Sequence, residues 1–193
     1  GADNDYPFKA NPYNEIYFAM RMMALYAVNN ASYPADKVVL APINEPYGHQ
    51  DTSIGNASLR NDNYAEVLRA TRDAANSVNS SIRVLAFLDN DPSGAFTYNY
   101  LTQNSTYGTY IDIIGINIYL HSGYQYGFNA WNDTTWVQKP NPYGREWEPI
   151  ISSKTKSMAQ NTRDTVNTYA SSIDEIWYTE QDDKFLAYND VVG

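Results

Sequence analysis

The sequence predicts an α/β fold built around a parallel sheet. Four short, mostly apolar runs read as strands: Lys37–Asn44, Ile82–Leu88, Ile111–Tyr119 and Asp174–Glu180. Segments with apolar residues at helical spacing alternate with them. The runs are apolar along most of their length rather than alternating with polar residues, the pattern of strands covered by helices in a parallel sheet.

Each element has its own warrant. Residues 1–12 are polar and turn-rich, with Pro7 and Pro12, and read as a loop. Ile16, Ala19, Met20, Met23 and Ala27 recur at helical spacing and predict a helix over Tyr13–Asn30. Tyr33-Pro34 stops it, because proline and the residue before it resist helical geometry. After the first strand, Ala65, Leu68, Ala70 and Ala75 predict a helix over Asn63–Asn79, with Asn61 or Asp62 as its cap. A short helix is expected over Phe96–Leu101. The third strand is rich in β-branched residues. Met158, Thr165, Val166 and Tyr169 mark one face of a helix over Ser152–Ala170. The tail, Gln181–Gly193, reads as irregular.

Composition narrows the function classes. The 193-residue chain has 43% hydrophobic residues, enough for a sizeable core in a single domain. Thirteen Lys+Arg against 22 Asp+Glu give a formal charge of -9, with no basic cluster for phosphates. Nucleic acid and an anionic membrane surface are therefore not expected partners. The absence of cysteine removes disulfides, zinc–thiolate sites and thiol nucleophiles. No apolar run is long enough to span a membrane. Aromatic residues reach 15%, led by 18 tyrosines, whose flat faces and polar rims suit sugar rings as well as a protein core.

Two carboxylates take equivalent places in this scheme. Glu45 follows the first strand and Glu180 ends the fourth. In parallel α/β sheets the carboxyl ends of the strands gather on one side, where active sites lie. Two carboxylates there match the requirement of glycosidic cleavage, in which one donates a proton and the other attacks the sugar or activates water.

The motif Asn44-Glu45-Pro46 within Ala41–Gly48 resembles the Asn-Glu-Pro motif at the end of the fourth barrel strand of the clan A glycoside hydrolases. Tyr178-Thr179-Glu180 resembles the nucleophile segment of their seventh strand, and Asp112–Tyr119 is similar to their sixth. Two further strands separate Glu45 from Glu180, as that pattern demands. The resemblance implies a partial (β/α)8 TIM barrel, strands four to seven with their helices, as one domain over residues 1–193. It implies retaining hydrolysis of a β-linked polysaccharide, with Glu45 as acid/base, Glu180 as nucleophile and no cofactor or metal. Asn44 would hold the sugar 2-hydroxyl, Tyr119 would orient Glu180, and His121 would line the same subsite. Residues 120–150 form a long aromatic insertion in which Trp131, Trp136 and Trp147 serve either as sugar platforms or as packing for the insertion itself.

Other motifs carry less. His49 reads as a loop residue, and Asp182-Asp183 as solvent-facing. Asp89-Asn90-Asp91 opens like a calcium loop but has no glutamate at the twelfth position. Sequons stand at Asn30, Asn56, Asn79, Asn104 and Asn132. Nothing in the sequence matches the first three barrel strands or the eighth, so the remainder of the barrel is an expected partner. Without it the edges of four open strands are an aggregation hazard. The competing expectation is a carbohydrate-binding or scaffold fragment with idle carboxylates. A polymeric substrate implies a secreted, extracellular protein.

Overall fold

A computed structural model of the chain describes residues 13–43, 57–89, 95–118 and 148–181. Helix α1 covers Tyr13–Leu25 and continues as a π-helical turn over Tyr26–Asn30. Its buried residues are Ile16, Met20 and Ala24, one i, i+4, i+8 row that packs against the following helix. Ala19 and Met23, expected on the buried face, are exposed because this narrower row makes the contact. The helix closes with Ser32 in the left-handed region (φ 57°), while the Tyr33 N–H donates to the Ala27 carbonyl at 3.0 Å.

Strand β1 is only Val39–Leu40, shorter than the expected Lys37–Asn44. On its amino side Ala35–Lys37 winds into a 3-10 turn, with the Lys37 N–H on the Pro34 carbonyl at 2.9 Å. On its carboxyl side Pro42 has no N–H to offer a neighbouring strand.

Helix α2 spans Ala57–Val78 and begins six residues before the expected Asn63. Asn61 and Asp62 are thus interior residues of the helix rather than its cap. Their side chains are engaged elsewhere: the Asn61 amide donates to Gln103 at 2.9 Å, and the Asp62 carboxylate accepts from Gln103 and from the Tyr107 hydroxyl. Strand β2 (Arg83–Asp89), helix α3 (Ala95–Gln103), a 3-10 turn at Tyr107–Tyr110 and strand β3 (Ile113–Ile118) come next. Helix α4 (Glu148–Tyr169) starts inside the expected insertion, and strand β4 (Glu175–Gln181) takes in one residue assigned to the tail. Tyr169, expected on the buried face of α4, is 44% exposed and meets Tyr98 edge-on, whereas Val166 is buried as expected, together with Thr162.

The described strands form one parallel sheet in the order β1-β2-β3-β4. Strand neighbours in space are therefore neighbours in sequence, each joined by a helical connection. Val84, Ala86 and Leu88 of β2 and Ile114 and Ile116 of β3 lie in one core with residues of all four helices. The alternate residues Leu85, Ile113, Gly115 and Asn117 belong to the opposite face, and they too are buried. Near-complete burial on both faces explains why β2 and β3 read as continuous apolar runs.

Polar contacts tie the amino ends of the strands together. The Asp112 carboxylate accepts from the Arg72 guanidinium and from the Val84 N–H, the latter at 2.7 Å. Arg83 reaches across β3 to Glu175 at 2.9 Å, and Arg163 of α4 donates to the Asp174 carbonyl at 3.1 Å. Tyr13 secures α1 to α2 by donating to Asp73 at 2.7 Å, and the Arg69 guanidinium lies 4.2 Å above its ring.

Candidate functional site

Because the four described strands run parallel, their carboxyl ends share one edge of the sheet. Of the expected catalytic pair, Glu180 is placed by its backbone, as the sixth residue of β4, opposite Asn117 of β3. Glu45 and Asn44 lie outside the described residues, as do Tyr119, His121, Trp131, Trp136, Trp147 and His49. The described chain runs as far as Ile43, immediately before Asn44-Glu45, and as far as Ile118, immediately before Tyr119. Residues 90–93 of the calcium-like loop and Asp182-Asp183 also fall outside.

The sheet face opposite the helix-side core is layered. Leu85, Ile113 and Glu175 stand in one row of the register, and Phe87, Gly115 and Trp177 in the next. Gly115 has no room for a side chain: a Cβ there would lie 2.9 Å from Leu85 and 3.1 Å from both Phe87 and Thr179. The missing side chain lets the two flanking strands bring larger groups together above it. Beyond it, Asn117 is 2% exposed and its Oδ1 accepts a hydrogen bond from the Thr179 hydroxyl at 2.8 Å.

The register is broken twice near this edge. Between β2 and β3, Phe87 faces Gly115 and Asp89 faces Ile116, so Leu88 is passed over. Between β3 and β4, Ile116 faces Tyr178 and Asn117 faces Glu180, so Thr179 is passed over. An extra residue of this kind bends a strand and re-aims the side chains beyond it, and such irregularities concentrate at barrel rims and active sites.

A second carboxylate, Glu175, occupies the amino-terminal end of the same face. The Trp177 indole N–H, 2.6 Å away, and the Arg83 guanidinium hold its carboxyl below the usual range. It is fixed as an anion and is poorly suited to donate a proton. The face therefore separates a charge-paired amino end from a carboxyl end carrying the Asn117 amide, the Thr179 hydroxyl and the Glu180 backbone. Among the described residues no group of three or more His, Asp or Glu side chains could hold a metal ion, and no helix is long and apolar enough to cross a membrane.

Compared with known proteins, the chain matches no family model, no curated protein and no solved structure.

Asn117 and Thr179 have no role in the reading of the sequence, yet a signal is there. Asn117 is the one amide in the run Ile113–Ile118, at a position that alternation assigns to the face of Ile113 and Gly115. A polar side chain in such a run needs a partner, and Thr179 supplies it. The skipped residue could not be read, because a register shift depends on which strands pair and where.

Proposed function

We propose that the protein is a retaining glycoside hydrolase acting on a β-linked polysaccharide, with Glu45 as acid/base and Glu180 as nucleophile. One observation carries the reading furthest. Glu180 sits at the carboxyl end of β4, and two strands separate β4 from β1, whose chain leads directly to Asn44-Glu45. Order, spacing and polarity of the strands are those the motifs imply.

In the proposed reaction the Glu180 carboxylate attacks the anomeric carbon while the bond to the leaving oxygen breaks. Glu45 gives that oxygen its proton. Water then attacks the glycosyl ester, returning a proton to Glu45 and releasing Glu180. Retention requires carboxyl groups about 5–5.5 Å apart. Asn44 holds the sugar 2-hydroxyl, Tyr119 orients Glu180, and His121, Trp131 and Trp136 line the subsites.

The finer fold belongs to the same proposal: β1 to β4 are the fourth to seventh strands of a (β/α)8 barrel. Helices sharing one core against one face, with strands in sequential order, support it. The strands that complete the barrel extend the sheet beyond β1 and beyond β4, and Phe18, Met22 and Tyr26 form an exposed i, i+4, i+8 row on α1 and the turn that follows it. A secreted protein is the matching location, since the polymer lies outside the cell.

The test is release of reducing ends from β-glucans, mannan and xylan by the wild-type chain and by Glu45→Gln and Glu180→Gln. Each substitution is expected to lower kcat by about a thousandfold with the fold intact. Full activity in both variants overturns the proposal. Saturable binding of the polymer without product by the wild type replaces it with a binding role.

A further inference from the structure

We propose that Asn30, Asn79 and Asn104 carry N-linked glycans, which gather at the amino ends of the strands and leave the opposite edge of the sheet clear. The proposal rests on the reading of the protein as secreted, because sequons are glycosylated in chains that enter a secretory pathway.

Three of the sequons fall within the described residues, and the fold gives them equivalent places. Asn30 closes the π-helical turn after α1 and leads toward β1. Asn79 is the first residue after α2, ahead of β2 at Arg83. Asn104 is the first residue after α3, ahead of β3 at Ile113. A connection from a helix into a parallel strand reaches that strand at its amino end. The carboxyl ends, where β4 holds the Glu180 backbone, lie about 20 Å away, the length of a seven-residue strand such as β2.

Accessibility and local geometry favour all three places. Every residue of the three sequons is exposed, which a bulky, hydrated glycan requires of a folded chain. The Asn104 Oδ1 accepts from the Thr106 N–H and from the Thr106 hydroxyl, both at 3.0 Å. The Asn79 Oδ1 accepts from the Ser81 N–H at 2.9 Å. These bonds turn the carbonyl oxygen toward the backbone, while Nδ2, the atom that takes the sugar, donates to nothing among the described residues. They join residues two apart, so the chain can form them before any tertiary contact exists.

The donor is a lipid-linked oligosaccharide diphosphate, used by the membrane-bound transferase of the host. A bond forms between Nδ2 and the anomeric carbon, and the bond from that carbon to the diphosphate oxygen breaks. The lipid diphosphate leaves with the electron pair, and one amide proton passes to a base.

The test expresses the full chain behind a secretion leader in yeast. Chain from the medium and from the membrane fraction is treated with peptide N-glycosidase F in heavy-oxygen water and mapped by mass spectrometry. Release converts each glycosylated asparagine into a labelled aspartate, and label is expected at positions 30, 79 and 104. Thr106→Ala keeps Asn104 but removes the hydroxyl, and is expected to lose the label at position 104 alone. A site recovered as unlabelled asparagine is overturned, and three such sites overturn the whole proposal. Chain retained in the membrane fraction reports as well as secreted chain, so poor folding does not hide the result. With an active chain, enzymatic removal of the glycans is expected to change kcat/KM on β-glycan by less than about twofold. A larger change overturns their placement away from the candidate site. If the native protein is found inside its own cells, the secretion reading fails and the native glycans with it, while the yeast map still decides whether these asparagines accept a glycan.

Discussion

Single residues carry more of this structure than their chemistry suggests in isolation. Asp112 is one carboxylate serving α2, β2 and β3 together, through Arg72, the Val84 N–H and its own place ahead of β3. Ser32 is the opposite case, a residue held in a conformation it does not favour. Its φ of 57° is the left-handed geometry at which helices normally end on glycine, because an L side chain crowds the backbone there. Ser32→Gly is therefore expected to stabilise the fold by up to about 1 kcal/mol, read as a higher urea midpoint at unchanged slope. The same change removes the sequon at Asn30, which is exposed, as are Asn79 and Asn104. In a secretory host the variant is thus expected to lose any glycan carried at Asn30.

At the scale of elements, the close approach of Gly108 to Ala170 fixes how the turn before β3 meets the end of α4. A Cβ on Gly108 would lie 2.6 Å from the Ala170 Cβ, closer than two such atoms can sit. Gly108→Ala must push the two segments apart, and a destabilisation of about 1–3 kcal/mol is expected in thermal unfolding. The elements also show where sequence reasoning succeeds. Among the described residues the four strands and four α-helices are legible, because each is a local pattern: β2 and β3 by their continuous apolar runs, α2 by Ala65, Leu68, Ala70 and Ala75, all buried. The misses are tertiary in origin. Asn61 and Asp62 look like caps by residue type, but partners on α3 and Tyr107 claim their side chains. Lys37 looks like the start of a strand until the preceding turn takes its N–H. In the candidate site, the place of Glu180 at a strand end is legible from the run that precedes it. The Asn117–Thr179 bond beside it is not, because it joins residues 62 positions apart.

For the whole molecule, the tyrosines set the response to alkali. Tyr64 and Tyr100 are completely buried among Tyr107 and the β2 backbone, and burial pushes both hydroxyls far above their ordinary range. Tyr107 is raised by burial and by its bond to Asp62. Tyr13 is pushed up to about 12, first by its hydrogen bond to Asp73. Proton counting gives the sign. Above pH ~10 the unfolded chain sheds these protons while the folded chain keeps them, so the unfolded state binds fewer and stability falls with pH. Their contribution is complete below pH ~10 and is lost as pH rises toward the folded values, at about 1.4 kcal/mol per pH unit for each fully buried tyrosine. Urea midpoints at pH 9 and pH 11 are expected to differ accordingly, and the 295 nm absorbance should show a late group of tyrosinates appearing together with unfolding. A flat stability profile across that range would contradict this arrangement.

The sequential order of the strands has a consequence for how the chain assembles. Each described strand finds its partner in the next described strand synthesised, so each added pairing closes only the connection between consecutive strands. On a ribosome, β1 and β2 can dock before α4 exists, and the sheet can lengthen in the direction of translation. The strand that holds Glu180 is the last described strand to join. The proposed chemistry is then the final property of the sheet to appear, acquired only after the Asn117 layer that receives it is in place.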